Sequence, residues 1–353
     1  MGDGSKGNRW INPKCTPLEV TQRGPFVRFP DGRLMTAGKN VAKVSQDGGI
    51  TWADLAPIYR GDGPEPPTSG PGVPSAHGQL LRTRQGTLVL VWMDERILNW
   101  DDATGEPGSD ARGDQWAIRS LDGGQTWTDR QRLYAGVCGH PPLNMIQTTG
   151  GRIVVTAQFY LREPGRNVLR VYSSGDEGKT WRGSNLIDLG GHGHHDGAFE
   201  PTFVELRDGR LWMLIRTNWD RFWEAFSEDE GRSWRVIRPS RIEASTSPGY
   251  LTRLASGRLA LVWNRLYPEG ADSFARRSGQ FSEAEASWHR EELSLALSED
   301  EGLTWSPPVV LAREQDTWLS YPYLFEPEPG WLWLWSYQGD VRVRFAEAEM
   351  LQP

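Results

Sequence analysis

Glu200 stands eight residues before the turn pair Asp208-Gly209, Arg216 seven after its glycine, and Tyr321 eight before a later pair, Pro329-Gly330. Six such turn pairs can be marked: Asp31-Gly32, Gln85-Gly86, Gly150-Gly151, Asp208-Gly209, Ser256-Gly257 and Pro329-Gly330. Side chains alternate along a strand, so residues at one offset from equivalent turns share a face and a height. Counting eight back from each pair gives Arg23, His77, Pro142, Glu200, Pro248 and Tyr321. Counting seven forward from each glycine gives Lys39, Met93, Gln158, Arg216, Asn264 and Tyr337. Four of the first six can do chemistry, and five of the second six are polar at the ends of otherwise apolar strands. Arginine and lysine hold anions through charge-assisted hydrogen bonds, while glutamate and histidine move protons. A phenol with a base beside it can act as a nucleophile. Polar residues that merely mark strand ends would explain any one position, but they explain two such rings together less well.

The elements that carry these residues repeat. Within 200–234, apolar runs at 203–206 and 211–215 flank Asp208-Gly209, and a third strand at 221–226 leads into Ser227-Glu-Asp229-Glu-Gly231-Arg-Ser233-Trp234. The pattern S-x-D-x-G-x-[TS]-W recurs at 45–52, 120–127, 174–181 and 298–305. Its Ser and Asp side chains bond nearby backbone N–H groups, its Gly takes a positive φ, and its Trp buries a ring against neighbouring strands. This is the Asp-box motif, present five times. Six turn pairs with five boxes predict six four-stranded antiparallel sheets in a ring, an all-β six-bladed β-propeller occupying 1–353 as a single domain. The sixth sheet shows three strands of its own, and the segment 10–20 is expected to supply the fourth and close the ring. The length in excess of ~40–45 residues per sheet falls in loops at 61–75, 94–113 and 267–287.

With 39 basic and 46 acidic residues the net charge is −7, and no long basic run suggests a nucleic-acid partner. No run is apolar enough to cross a membrane, and the first ten residues have no apolar signal core, so a cytoplasmic location is expected. Cys15 and Cys138, the only cysteines, are expected as free thiols. The cluster His192, His194, His195 and Asp196 matches no common zinc spacing. Neither a metal nor a cofactor is expected.

Five Asp boxes on six sheets, with Glu200 sixteen residues before Arg216, resemble the sialidase (neuraminidase) superfamily across nearly the whole chain. Arg23-Gly24-Pro25 resembles the family's R-I-P element, and Glu200 and Arg216 match the glutamate and second arginine of its fourth blade. Arg290, preferred over Arg276 and Arg277, resembles the third arginine, before the last Asp box. Ser320-Tyr321-Pro322-Tyr323-Leu324 resembles A-Y-S-D-L, which carries the nucleophilic tyrosine, with Tyr323 as the rival position. The resemblance implies an exo-glycosidase for a terminal acidic sugar, sialic acid or a relative. Three guanidiniums would hold the sugar carboxylate, and Tyr321, deprotonated by Glu200, would avoid the repulsion a carboxylate nucleophile would meet.

One departure concerns the acid. The family places an aspartate after the second strand of blade one, where this chain has Gly38-Lys39-Asn40-Val41-Ala42. Lys39 takes the rim position, as a further contact to substrate. Replacements for the acid could come from blade two, as Asp101 (beside Asp94, Glu95 and Asp102) or as His77; His140 is a further rim candidate. Two alternatives stay open: a polysaccharide lyase acting on uronates with His77 and Tyr321 as base and acid, and a propeller that binds carbohydrate without catalysis.

Overall fold

The computed structural model describes residues 9–352 except 70–72, 75–77, 95–98, 102–105 and 279–283. It is an all-β ring of six antiparallel blades, each running from an inner strand at the central axis to an outer strand at the rim. Blade one comprises Phe26–Arg28, Leu34–Gly38, Val41–Ser45 and Ala53–Pro57, and blade two Gly78–Arg82, Leu88–Met93, Gln115–Ser120 and Thr128–Tyr134. Blade three begins with the short pieces Cys138–His140 and Met145–Gln147, then Ile153–Leu161, Arg166–Ser174 and Arg182–Ile187. Blade four is Phe199–Glu205, Leu211–Arg216, Arg221–Ser227 and Arg235–Glu243. Blade five is Tyr250–Arg253, Leu259–Trp263, Glu292–Ser298 and Val309–Arg313, and blade six Ser320–Glu328, Trp331–Gln338 and Arg342–Ala346.

The second strand of a blade is covered on both faces by its neighbours, which is why Leu88–Met93 and Leu211–Arg216 are buried throughout instead of alternating. Outer strands such as Arg235–Glu243 face solvent and are mostly polar. Each described box lies in the turn between a third and a fourth strand, as its sequence requires. In the first, Ser45 Oγ accepts the Gly49 N–H at 2.8 Å, and Asp47 accepts from the Thr51 N–H at 2.9 Å and the Thr51 hydroxyl. The boxes also join blades. Gly302, at φ +82°, lies so close to the Trp212 ring of blade four that a Cβ there would sit 2.4 Å from it. A side chain at that glycine would push two blades apart.

Ring closure uses the N-terminal segment more widely than the sequence suggests. Thr16–Pro17 pairs with Val343 and Arg344 and completes blade six, as expected from 10–20. Trp10–Ile11 instead adds a fifth strand to blade five, against Ala312 and Arg313. Val20 then packs against Gly49 of blade one, so one short segment staples three blades. Arg276–Ser278 pairs antiparallel with Glu285–Ser287 within the segment 267–287 of blade five, which was expected to be a loop.

Candidate active site

The inner strands deliver Glu200 and Tyr321 to the end of the ring opposite the Asp boxes. Glu200 sits on a bulge: Phe199 pairs with Arg216 but Thr202 pairs with Leu214, leaving one extra residue between them. Its φ is +47°, and that of Tyr321 is +58°. Non-glycine residues take this region at a cost of order ~1–3 kcal/mol, and such residues cluster where a site must be held. Both precede a proline, Pro201 and Pro322. The Glu200 backbone is fixed by its N–H, which donates to Gln158 Oε1 at 2.7 Å.

The two side chains meet. The Tyr321 hydroxyl donates to Glu200 Oε1 at 2.8 Å, and Arg216 Nη1 donates to Glu200 Oε2 at 2.5 Å. Arg216 also donates twice to Thr246 Oγ1, which in turn donates to Asn218 Oδ1 at 2.6 Å. Arg290 lies on the other side of Tyr321, its Cζ 5.9 Å from the ring centre. It donates to the Thr246 carbonyl at 2.7 Å and to Gln338 Oε1 at 3.1 Å, and its Nε is buried with no partner among the described residues. Both guanidiniums are covered, at 1% and 2% exposure. Phe199 lies against Arg216 at 4.4 Å, and Trp288 and Trp318 against Arg290 at 5.1 and 4.6 Å.

Electrostatics follow from this packing. Burial alone would raise the Glu200 carboxyl, but the charges of Arg216 and His140 and two donated hydrogen bonds outweigh it and hold the group at about 2. Burial and then the Glu200 charge push the Tyr321 phenol up to about 12, against the pull of Arg216 and Arg290. The proton of the pair therefore rests on Tyr321. Burial and the repulsion of Arg216 bring Arg290 down to about 10. Arg216 alone is bonded to the buried Glu200 carboxylate, and with Arg290 beside it the site carries a positive excess.

Beside Tyr321 opens a cavity of about 400 Å³, walled by Met93 from blade two, His140 and Pro142 from blade three and Tyr337 from blade six. The His140 and Tyr321 rings stack, with centroids 5.1 Å apart and planes 19° apart.

Four of the sequence-selected residues therefore converge: Tyr321, Glu200, Arg216 and Arg290. Arg23 is half-exposed at the rim, where it pairs with Asp340 Oδ1 at 2.8 Å and its Cζ lies 5.9 Å from the centre of the Tyr337 ring that walls the cavity. Lys39 is exposed in the tight turn of blade one at φ +52°. Asp101 is exposed on the blade-two loop, its N–H bound to the Glu106 carbonyl at 2.9 Å. Asp94 is buried, accepting from the Asp114 N–H and from Trp116 Nε1. His77, Glu95 and Asp102 lie outside the described residues. Tyr323, the rival of Tyr321, has its hydroxyl engaged by the Phe26 N–H at 2.9 Å, a contact that ties blade six to blade one. Gln338, Thr246 and Trp318 were not singled out from sequence. Gln338 directly follows the rim position Tyr337, a signal that could have pointed to it.

The profile of the BNR repeat-like domain matches residues 68–333. The chain belongs to the BNR repeat-like family. No curated protein matches it. This BNR-family chain is similar to a protein of unknown function from Dyadobacter fermentans, at 17% identity and TM-score 0.61, with 95% of this chain and all of that one covered. It is similar to the Trypanosoma rangeli sialidase in complex with 2,3-difluorosialic acid (a covalent intermediate), at 14% identity and TM-score 0.59. That match covers 98% of this chain and 59% of the other. It is also similar to the intramolecular trans-sialidase of Ruminococcus gnavus in complex with oseltamivir carboxylate, at 15% identity, TM-score 0.56 and full coverage of both chains. Identities this low show the shared propeller fold alone and leave the residues to be judged on their own geometry.

Proposed function

We propose that this protein is a glycoside hydrolase that removes a terminal acidic sugar, sialic acid or a relative, through a covalent intermediate on Tyr321. The observation that carries the reading is the buried group of two guanidiniums, one carboxylate and one phenol, in which Tyr321 donates to Glu200 while Arg216 and Arg290 are short of negative charge. A sugar carboxylate supplies that charge. It would also draw Arg216 away from Glu200 and raise the proton affinity of that carboxylate. Binding an acidic substrate then prepares the base that takes the Tyr321 proton. The likeness to sialidases, one of them held as a covalent intermediate with a fluorinated sialic acid, supports the same assignment.

The test is product analysis on sialyl and uronate oligosaccharides. Release of a free acidic sugar, abolished in Tyr321→Phe, is the expected outcome. A product with a new unsaturated bond, absorbing in the ultraviolet, would instead make the protein a lyase. Glu200 has a clear task in hydrolysis and none in elimination, which is why hydrolysis is preferred.

A further inference from the structure

Cleaving a glycosidic bond needs a proton donor for the leaving oxygen, and the hydrolase reading, on which this inference rests, leaves that donor unassigned. The turn of blade one that faces the rim contains Lys39 and no carboxylate. Asp101 is exposed on the loop after the second strand of blade two and does not line the cavity beside Tyr321, and both oxygens of Asp94 are engaged within blade two. Among the described residues that wall the cavity beside Tyr321 there is no carboxylate at all; its titratable groups are tyrosines and one histidine, His140. Of these only an imidazole loses a proton near neutral pH.

We propose that His140 is the general acid of this site. Its Nδ1 lies 2.7 Å from the Pro141 carbonyl, which can only accept, so Nδ1 carries a hydrogen and Nε2 holds the exchangeable proton of the imidazolium. The ring is stacked on that of Tyr321, with centroids 5.1 Å apart, which places the imidazole beside the nucleophile and on the wall of the same cavity. The position is anchored, because His140 pairs with Gln158, the residue whose side chain fixes the Glu200 backbone. Among the described residues, the charged and titratable groups around it are Tyr321 and Tyr337 of blade six and Glu200 of blade four, with Arg216 and Arg290 next to Tyr321. The Glu200 carboxylate and a cationic His140 attract one another.

In the first step the Tyr321 oxygen bonds to the anomeric carbon and passes its phenolic proton to Glu200. The glycosidic C–O bond breaks as His140 Nε2 gives its proton to the leaving oxygen. In the second, neutral His140 takes a proton from water. The water oxygen displaces Tyr321 from the anomeric carbon, and Tyr321 recovers its proton from Glu200. The enzyme ends as it began.

The experiment compares a 4-methylumbelliferyl glycoside of the acidic sugar, whose leaving group needs little protonation, with the same sugar linked to an unactivated alcohol. Wild-type protein hydrolysing neither would sink the hydrolase reading itself. If wild type hydrolyses both, His140→Ala should lower kcat/KM for the alkyl-linked substrate by ~10²–10⁴-fold and for the aryl glycoside by no more than about threefold. The alkaline limb of the alkyl-substrate pH profile, where the imidazolium deprotonates, should disappear with it. His140→Asn, which keeps a polar side chain, should behave likewise and guards against misfolding of the alanine variant. Equal losses on both substrates would make His140 a support for Tyr321, and no loss on either would remove it from the reaction; each overturns the proposal.

Discussion

Replacing Glu200 with glutamine tests the charge balance on which the chemistry depends. The amide keeps the shape of the side chain and removes the carboxylate that pairs with Arg216 and attracts Arg290. In the folded protein that carboxyl is held at about 2, against an ordinary 4.5. At ~1.36 kcal/mol per tenfold change in proton affinity, the difference stabilises the fold by roughly 3 kcal/mol. Breaking a buried ion pair from one side costs ~3–5 kcal/mol, in agreement. The sign follows from the lowered value: the contribution is complete above the unfolded pKa of 4.5 and is lost as pH falls through about 2. The deficit of Glu200→Gln should therefore be present at neutral pH, and any decrease between about pH 6 and about pH 8 is limited to the share that a cationic His140 supplies. Urea unfolding followed by tryptophan fluorescence measures it as a lower midpoint at unchanged slope. Adding Arg216→Met should recover part of the loss, because one buried guanidinium no longer lacks its partner. A deficit below ~1 kcal/mol at neutral pH would refute the reasoning.

The acid clamp and the Asp boxes make separate predictions. Arg290→Met should lower kcat/KM for the acidic substrate by ~2–5 kcal/mol, and for its methyl ester far less; equal losses would make Arg290 purely structural. In blade four, Asp229 accepts from Ser227 Oγ, the Ser233 N–H and the Ser233 hydroxyl, at 2.9, 2.8 and 2.7 Å. Asp229→Ala removes all three bonds at a cost of ~2–3 kcal/mol. Because the box lies at the far end of the blade from Tyr321, kcat should be unchanged at temperatures where the variant is folded.

Much of the architecture was written locally. A hairpin turn and an Asp box each satisfy their hydrogen bonds within a few residues, so five boxes and six turn pairs determined the number of blades and, close to the turns, the register of the first two strands, as at Gln147 with Ile153 and Glu205 with Leu211. That register brought Glu200, Arg216 and Tyr321 into one place, and also Met93, Pro142 and Tyr337 around one cavity. Arg290 came from the resemblance and lies beside Tyr321.

Contacts across the ring were decided only by the tertiary structure. Arg23 was chosen as a third guanidinium from its resemblance to the R-I-P element; its partners, Asp340 and the Tyr337 ring, come from more than three hundred residues away in sequence. Tyr321 and Tyr323 are two residues apart on one strand and face the same way by alternation; what separates them is that Phe26 of blade one occupies the hydroxyl of Tyr323. His140 reaches Tyr321 from another blade, and the segment 10–20 divides itself between two blades. Local rules fix the direction and height of a side chain. They carry no information about which blade lies opposite, and where a charge finds its partner depends on how the ring closes.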